Sequence, residues 1–200
     1  MKLLATPNSP YARVVRICAH ELGINLDIEY VGVRNDADHI LKHNPAAKVP
    51  TLIIDNELAL SETRLICELL EDQSTPGFLA RRDDSKRRRW EGLVTGFLDG
   101  VSVWIREARR DAEDQSQKIM DLERRRADRC LDYFERHWSM SVDIDYSSSA
   151  IVSGLELITT RVESGMLTRY PNLNSWYQDM QGLESIKETR PEPLPNRPSR

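Results

Sequence analysis

The sequence predicts a small α/β domain followed by an all-helical domain, and three observations lead to this prediction. Strand-like and helix-like segments alternate over the first eighty residues. A polar stretch at residues 73–77 then interrupts the pattern, and helical periodicity fills the rest of the chain. All four tryptophans lie in that second part, as large core residues of a helical bundle would. We therefore expect two domains, at residues 1–76 and 83–200.

The first strand and helix are marked by their turn chemistry. The apolar run at residues 3–5 predicts a buried strand that ends at Thr6-Pro7-Asn8. Ser9 followed by Pro10 predicts a helix start, because a serine hydroxyl caps free N–H groups and proline needs no N–H in the first turn. The apolar stripe of this helix stops at Gly23, a residue that commonly ends helices.

The remainder of the first part predicts more strands and two more helices. Strands are expected at residues 28–31, 50–54 and 58–60. Asp55-Asn56 is a plausible hairpin turn, and residues 36–43 form one or two helical turns. We expect Ser61 to cap a helix whose apolar positions run to Leu70.

From residue 83 onward the three-and-four spacing of apolar residues predicts long helices. Their apolar positions lie at residues 90–105, 119–138, 147–162 and 173–180. Residues 83–85 supply a cap and favourable charge for the first of them. Four of the ten prolines fall between Pro191 and Pro198, so an extended tail is expected at residues 191–200.

Composition excludes several classes of function. The formal net charge is −4 and the pI is about 5.7, which gives no electrostatic drive toward nucleic acid or anionic lipid. No apolar run approaches the roughly 20 residues that span a bilayer, and the first residues are too short for a signal peptide. The chain has three cysteines that lie far apart, at Cys18, Cys67 and Cys130, so we expect neither a disulfide framework nor a zinc site built on them. This pattern fits a reducing compartment, and we therefore expect a cytoplasmic location. His39 and His43 have no further ligand at metal spacing, so no metal is predicted.

Three segments of the first part, far apart in the sequence, belong to one candidate site. Ser9 stands at a helix N-terminus, where N–H groups and the helix dipole favour an anion. Lys48-Val49-Pro50 leads into a strand, and Glu62-Thr63 opens the next helix. In the alternative interpretation, Ser9 and Glu62 only cap or begin helices, and neither residue binds a ligand.

These segments resemble the glutathione S-transferase superfamily, in particular its bacterial-type members with an active-site serine. The matching segments are SPYARVVR at 9–16, NPAAKVPTL at 44–52, LSET at 60–63, YPNL at 170–173 with Trp176, and TRP at 189–191. They stand in the family's order and cover nearly the whole chain. The resemblance implies a thioredoxin-like N-terminal domain that binds glutathione and an all-helical C-terminal domain. Ala150 stands where the family has aspartate, which implies that the helix near Ser147 lacks a reciprocal capping bond.

The resemblance also implies how glutathione would be held. Ser9 matches the catalytic residue whose hydroxyl faces the glutathione sulfur. Val49 matches the residue whose main-chain N–H and C=O pair with the cysteinyl part of glutathione, and Pro50 matches the cis-proline that fixes this backbone.

The remaining glutathione contacts follow in the same way. Glu62 and Thr63 match the pair that binds the γ-glutamyl ammonium and carboxylate groups. Lys48 meets the glycyl carboxylate in this interpretation, with His43 as a weaker candidate. Lys48 has the alternative of remaining solvated.

A second pocket for an apolar electrophile would lie between the domains, lined by the first helix and the helix that carries Trp104. Tyr11, Trp104 and Arg106 are the candidates to line it. Tyr11 is also an alternative to Ser9 as donor to the sulfur.

The function implied is a cytoplasmic, homodimeric glutathione transferase that conjugates glutathione to small electrophiles, a detoxification chemistry. One alternative is a glutathione-dependent disulfide reductase or peroxidase on the same fold. Because no cysteine stands at or beside Ser9, such a reductase or peroxidase would use bound glutathione rather than a protein thiol. Another alternative is a non-catalytic glutathione-binding interaction protein. The identity of the second substrate does not follow from the sequence, because fold does not fix function.

Overall fold

The computed structural model of the chain describes residues 1–34, 37–55 and 58–191. Asp36 of the expected second helix and Asn56 of the expected hairpin turn lie outside these residues. So do residues 192–200 of the expected extended tail.

One four-stranded sheet forms the core of the first part. Its strands are β1 (Lys2–Ala5), β2 (Asp27–Tyr30), β3 (Thr51–Ile53) and β4 (Ala59–Ser61), in the order β2-β1-β3-β4. β2 is parallel to β1, whereas β3 is antiparallel to both β1 and β4. Leu3, Leu4 and Ala5 are all buried although successive strand side chains point to opposite faces, so both faces of β1 are covered. β2 is an edge strand, and its apolar Ile28 and Tyr30 are exposed.

Three helices accompany this sheet, and all three correspond to helices expected from the sequence. They are α1 (Pro10–Glu21), α2 (Asp38–Leu41) and α3 (Thr63–Glu71). Ser9 caps α1 as predicted, since its Oγ accepts a hydrogen bond from the Ala12 N–H at 3.2 Å. The apolar stripe of α1 is buried, and the chain leaves the helix through Gly23 at φ +66°.

The expected cap of α3 is wrong by one residue. Ser61 is the last residue of β4, and Glu62 is the N-cap instead. One Glu62 carboxylate oxygen accepts hydrogen bonds from the Arg64 and Leu65 N–H groups, at 3.1 and 3.2 Å. A carboxylate replaces the serine because the strand pairing extends through Ser61 and leaves the next residue to turn the chain into the helix.

The second part is helical throughout its described residues. Its helices are α4 (Ser85–Ala108), α5 (Gln117–His137), α6 (Tyr146–Arg161), α7 (Pro171–Met180) and α8 (Glu184–Glu188), with short 3-10 turns at Ala112–Asp114 and Met166–Arg169. α6 is the central helix, because every residue from Tyr146 to Ile158 is buried. It packs against α4 on one side and against α1 of the first part on another. Ile119 and Leu122, expected to pack inward from α5, are exposed.

The expectation that α6 lacks a reciprocal capping bond is wrong. The helix begins earlier than the expected Ser147, and Asp145 is its N-cap. The Asp145 carboxylate accepts from the Ser148 N–H at 2.8 Å, and the Asp145 N–H donates to Ser148 Oγ, also at 2.8 Å. A serine therefore closes the capping box, and Ala150 is simply a buried residue of the helix.

The segment between α3 and α4 is ordered by two carboxylates. Glu71 Oε1 accepts from the N–H groups of Gly77, Phe78 and Leu79, at 2.6, 2.7 and 3.1 Å. The buried Glu91 of α4 accepts from the Ala80 N–H at 2.5 Å. The polar break in the sequence is thus a connection whose main-chain donors are held by side chains of both flanking helices.

Candidate functional site

Strand register brings the three candidate segments to one edge of the sheet. Leu4 pairs with Thr51, and Thr51 pairs with Ser61. The chain leaves β1 toward Ser9 at this edge, enters β3 from Val49-Pro50, and leaves β4 into Glu62-Thr63. The antiparallel pairing of β3 with both neighbours is what places the end of two strands beside the start of the third.

Ser9 has a proton to donate at this edge. Its N–H donates to Thr6 O at 3.1 Å, and its Oγ accepts from the Ala12 N–H. Among the described residues no acceptor takes the Ser9 O–H proton. A hydroxyl that caps its own helix by accepting keeps its proton for an anion placed at the same helix end.

The loop that carries Ser9 is held from the helical part. Arg161 Nη2 of α6 donates to Asn8 Oδ1 at 3.1 Å. A narrow cleft runs between this loop and α6, and it is lined by Pro7, Asn8, Ser9, Pro10, Arg13, Ser153, Leu157 and Pro191. The position of Ser9 therefore depends on contacts with both parts of the chain.

Val49 has unpaired main-chain groups at the same edge of the sheet as Ser9. The Val49–Pro50 peptide bond is cis, as the resemblance implied for Pro50. No hydrogen bond joins the Val49 N–H or C=O to any other described residue. Unpaired main-chain N–H and C=O groups can form strand-like hydrogen bonds with an extended peptide, so Val49 can bind such a peptide through its main chain.

Asn44 braces that loop, a role that sequence reasoning missed. It is 5% exposed, and its Nδ2 donates to Lys48 O at 3.1 Å and to Thr51 Oγ1 at 2.9 Å. Thr51 Oγ1 in turn donates to Lys48 O at 2.8 Å, and Asn44 Oδ1 accepts from the Ala46 N–H at 2.9 Å. The Asn44-Pro45 pair indicated a turn, but only the folded loop shows the side chain bridging its two ends.

Glu62 has a backbone conformation that a glutamate rarely adopts. Its φ is +85°, in the region that favours glycine. Such strain is commonly found at functional sites, where the surrounding structure maintains it. One carboxylate oxygen caps α3, the residue is exposed, and its other oxygen has no hydrogen-bond partner among the described residues. The neighbouring Thr63 is buried, 4% exposed.

Lys48 and His43 were the candidates for a glycyl carboxylate. The Lys48 side chain is exposed, while its carbonyl belongs to the Asn44 brace. His43 is half-buried and stacks edge-on against His39, with 5.6 Å between ring centroids. His39 Nε2 lies 3.0 Å from the Glu29 carboxylate, so the histidine pair contacts the edge strand β2 through His39.

Tyr11 faces α4, where the second pocket was expected. Its hydroxyl donates to Asp99 Oδ1 at 2.5 Å. Burial first, and then this hydrogen bond, raise the pKa of Tyr11 above its ordinary value, and the Arg106 guanidinium lowers it in part. Arg106 is exposed and its Nε donates to Ser102 O at 3.1 Å, whereas Trp104 is 5% exposed and packs in the core. Tyr11 thus contacts α4 through Asp99 and lies within electrostatic reach of Arg106, whereas Trp104 is part of the buried core.

Comparisons with known proteins agree with this geometry. A sequence model of the glutathione S-transferase N-terminal domain matches residues 3–77. The Escherichia coli K12 "Uncharacterized GST-like protein YibF" is 27% identical over 199 residues, covering 96% of this chain and 98% of that protein.

Two solved structures show the same likeness along the whole chain. A glutathione S-transferase from Methylobacillus flagellatus, determined with glutathione bound, is 28% identical with a TM-score of 0.84, covering 96% of this chain and 99% of that one. A glutathione transferase family member from Pseudomonas fluorescens Pf-5, with bound glutathione, is 26% identical with a TM-score of 0.85, covering 96% and 98%. The first part thus matches the glutathione S-transferase N-terminal domain, and the whole chain is similar to solved glutathione transferases, with a thioredoxin-like first part and a helical remainder. Within the described ranges, no helix is both long enough and apolar enough to cross a membrane.

Proposed function

We propose that this protein is a glutathione transferase in which Ser9 stabilises the glutathione thiolate for attack on a small electrophile. The observation that carries the proposal is the shared sheet edge, where an available Ser9 proton stands with the unpaired main chain of Val49 and with Glu62. Relatives of similar size, determined with glutathione bound, support the same ligand here.

The chemistry rests on the pKa of the glutathione thiol. A free thiol has a pKa of about 8.5, so little nucleophilic thiolate exists at neutral pH. A hydroxyl donor and the N-terminal end of α1 both favour the anion and lower that pKa. The sulfur then forms a bond to an electrophilic carbon, whose leaving group departs with the displaced electron pair.

Glutathione would lie across the three segments as an added, extended strand. Val49 would pair with its cysteinyl main chain, and Glu62 with Thr63 would receive the γ-glutamyl end. Lys48, with His43 as the weaker candidate, would meet the glycyl carboxylate. In this arrangement residues 1–76 bind glutathione and residues 83–200 supply the electrophile pocket.

Ser9 is favoured over Tyr11 as the donor to sulfur. The Tyr11 proton is already engaged by Asp99, at 2.5 Å. We place Tyr11 and Arg106 instead at the electrophile pocket between α1 and α4, with Trp104 behind them. The carboxylate of Asp99 and the guanidinium of Arg106 would give that pocket a polar rim.

The test measures conjugation of glutathione to an aryl halide across pH, in the wild type, Ser9→Ala and Tyr11→Phe. Loss of the Ser9 hydrogen bond should raise the pKa of bound thiol by about 1–2 units, because a hydrogen bond to a charged group contributes about 1.5–3 kcal/mol. Tyr11→Phe should keep the wild-type pH profile. An unchanged profile in Ser9→Ala would contradict the proposal. Reduction of a mixed glutathione disulfide without conjugation would support the reductase alternative, and binding without turnover would support the non-catalytic one.

We also propose a cytoplasmic homodimer. All three cysteines are free thiols, as a reducing compartment maintains them. Leu65 of α3 and Leu93 of α4 are exposed apolar side chains that a second copy could cover. Light scattering should give twice the chain mass of 23.1 kDa for the wild type. The monomer mass at micromolar concentration would contradict this part of the proposal.

A further inference from the structure

A second cluster of ligating side chains lies where the end of α1 meets α8. His20, Glu184 and Glu188 each present one ligand atom, and all three atoms lie within 4.8 Å of one another. His20 Nε2 is 3.4 Å from Glu188 Oε2. Glu184 and Glu188 are four residues apart on α8, so their carboxylates lie on one face of that helix.

The α1 side of the cluster is pre-positioned. Arg13 and Arg16 precede His20 on the same face of α1, and both donate to main-chain carbonyls of the α8 region. Arg13 Nη2 bonds Ile186 O at 3.2 Å, and Arg16 Nη2 bonds Glu188 O at 3.1 Å. These bonds fix α8 against α1 independently of the His20 side chain. The imidazole and the two carboxylates are therefore held together by the fold.

The second nitrogen of His20 lies near a further carboxylate. Its Nδ1 lies 3.9 Å from Glu21 Oε1, while Nε2 faces Glu188. At this distance Glu21 makes no hydrogen bond to the imidazole, and its carboxylate contributes only negative charge beside the ring.

An independent observation points to a ligand in the same place. The cluster borders an open groove of about 460 Å³, lined by His20, Glu21, Val142, Asp143, Ile144, Leu183, Glu184 and Ser185. Ser185 is 1% exposed, and its Oγ finds no hydrogen-bond partner among the described residues. A buried hydroxyl left without a partner calls for an explanation, and this one belongs to a residue in the wall of the groove.

We propose that His20, Glu184 and Glu188 bind a divalent cation of the zinc class. One imidazole with two carboxylates is a donor set that Zn²⁺ accepts, with water completing the coordination, whereas Mg²⁺ prefers oxygen ligands alone. Glu21 and Asp143 add negative charge to the groove and favour a cation over an anion. The cation fastens α8 to α1 and stands apart from the glutathione edge, so this site is independent of the proposed function.

The experiment titrates Zn²⁺ into untagged protein by calorimetry and follows the melting temperature. The wild type should bind one Zn²⁺ per chain with a saturable rise in melting temperature, because a ligand bound only by the folded state stabilises it. His20→Ala and Glu188→Gln should each weaken binding at least about tenfold, since loss of even an outer-sphere partner costs about 10–100-fold. Mg²⁺ should produce no such rise.

Two controls keep the result interpretable. His39→Ala removes the other histidine–carboxylate pair and should leave Zn²⁺ affinity unchanged. Co²⁺ bound in place of Zn²⁺ should give a spectrum without thiolate charge transfer, which excludes Cys130 as the ligand. No binding in a wild type that is folded by circular dichroism, equal binding in His20→Ala, or loss in His39→Ala would each overturn the proposal.

Discussion

The Arg13 guanidinium lies 2.6 Å from the Glu156 carboxylate, and the two side chains are only 3% and 11% exposed. Arg13 lies in the first turn of α1, four residues after Ser9, and Glu156 belongs to the central helix α6. This buried ion pair therefore joins the helix that carries the candidate catalytic serine to the helical part. Arg13 also donates to Thr189 Oγ1 at 3.3 Å, so one side chain connects three elements.

Glu156→Ala should lower the free energy of unfolding by about 3–5 kcal/mol, because it leaves a buried guanidinium without its counter-charge. Urea denaturation measures this directly. The exposed pair Arg81–Asp83, 3.4 Å apart, is the control, and Asp83→Ala should change stability by about 0–1 kcal/mol. Equal effects of the two substitutions would show that burial of the pair is unimportant.

Glu71→Ala should loosen the connection between α3 and α4. Three main-chain N–H groups would lose their common acceptor, at a cost of about 1–3 kcal/mol in the free energy of unfolding. Hydrogen exchange should show faster exchange at Phe78 and Leu79 than in the wild type. The neighbouring Asp72→Ala is an exposed control that should leave both amides protected, and unchanged exchange in Glu71→Ala would refute the role assigned to this carboxylate.

Gly154→Ala should destabilise the helical core. An added Cβ would press against the Phe97 ring, 3.1 Å from Cζ and closer still to Cε1, and Phe97 is 1% exposed. Overpacking of this kind costs about 1–3 kcal/mol. Gly92→Ala meets no atom within 4 Å and should instead stabilise α4 by about 0.5–1 kcal/mol. Thermal denaturation of both variants distinguishes them, and a shift of the same sign in both would contradict the packing described.

Cys67 should make the protein less stable at alkaline pH. Burial first, and then its contact with Cys18, raise the pKa of the Cys67 thiol in the folded state. Above the unfolded value of about 8.5 the unfolded chain loses this proton while the folded chain keeps it, so stability falls as pH rises.

The comparison of wild type with Cys67→Ala isolates that contribution. The wild type should lose up to about 1.4 kcal/mol more per pH unit than the variant between pH 9 and 10, measured as free energy of unfolding in urea. Parallel pH dependences would contradict the assignment.

Local signals predicted the elements well, and tertiary contacts account for what they missed. Ser9-Pro10 marked the start of α1 because capping acts within one turn, and the cis bond at Pro50 followed from the family resemblance. The Asn44 brace and the true caps at Glu62 and Asp145 depend on where strands and helices end, which periodicity leaves uncertain.

The cation site illustrates the same limit more strongly. His20 is separated from Glu184 and Glu188 by most of the chain, so no ligand spacing was visible in the sequence. Similarly, the apolar side chains of Leu65 and Leu122 would be expected in the hydrophobic core, yet both are exposed on their helices. Which face of a helix is covered depends on neighbours that a helical pattern alone does not identify.

The most direct test of the central claim is calorimetric titration of glutathione into the wild type, Glu62→Gln and Glu68→Gln. Glu62→Gln keeps an acceptor for the cap of α3 but removes the negative charge offered to the γ-glutamyl ammonium group. Glu68→Gln alters a carboxylate of the same helix that pairs with Arg64 at 3.7 Å, so it serves as the matched control. We predict micromolar-to-millimolar binding to the wild type and Glu68→Gln, weakened at least about tenfold in Glu62→Gln, as loss of a charged hydrogen bond of about 1.5–3 kcal/mol implies. Absence of binding to the wild type, or equal binding to all three proteins, would contradict the glutathione site described at this sheet edge.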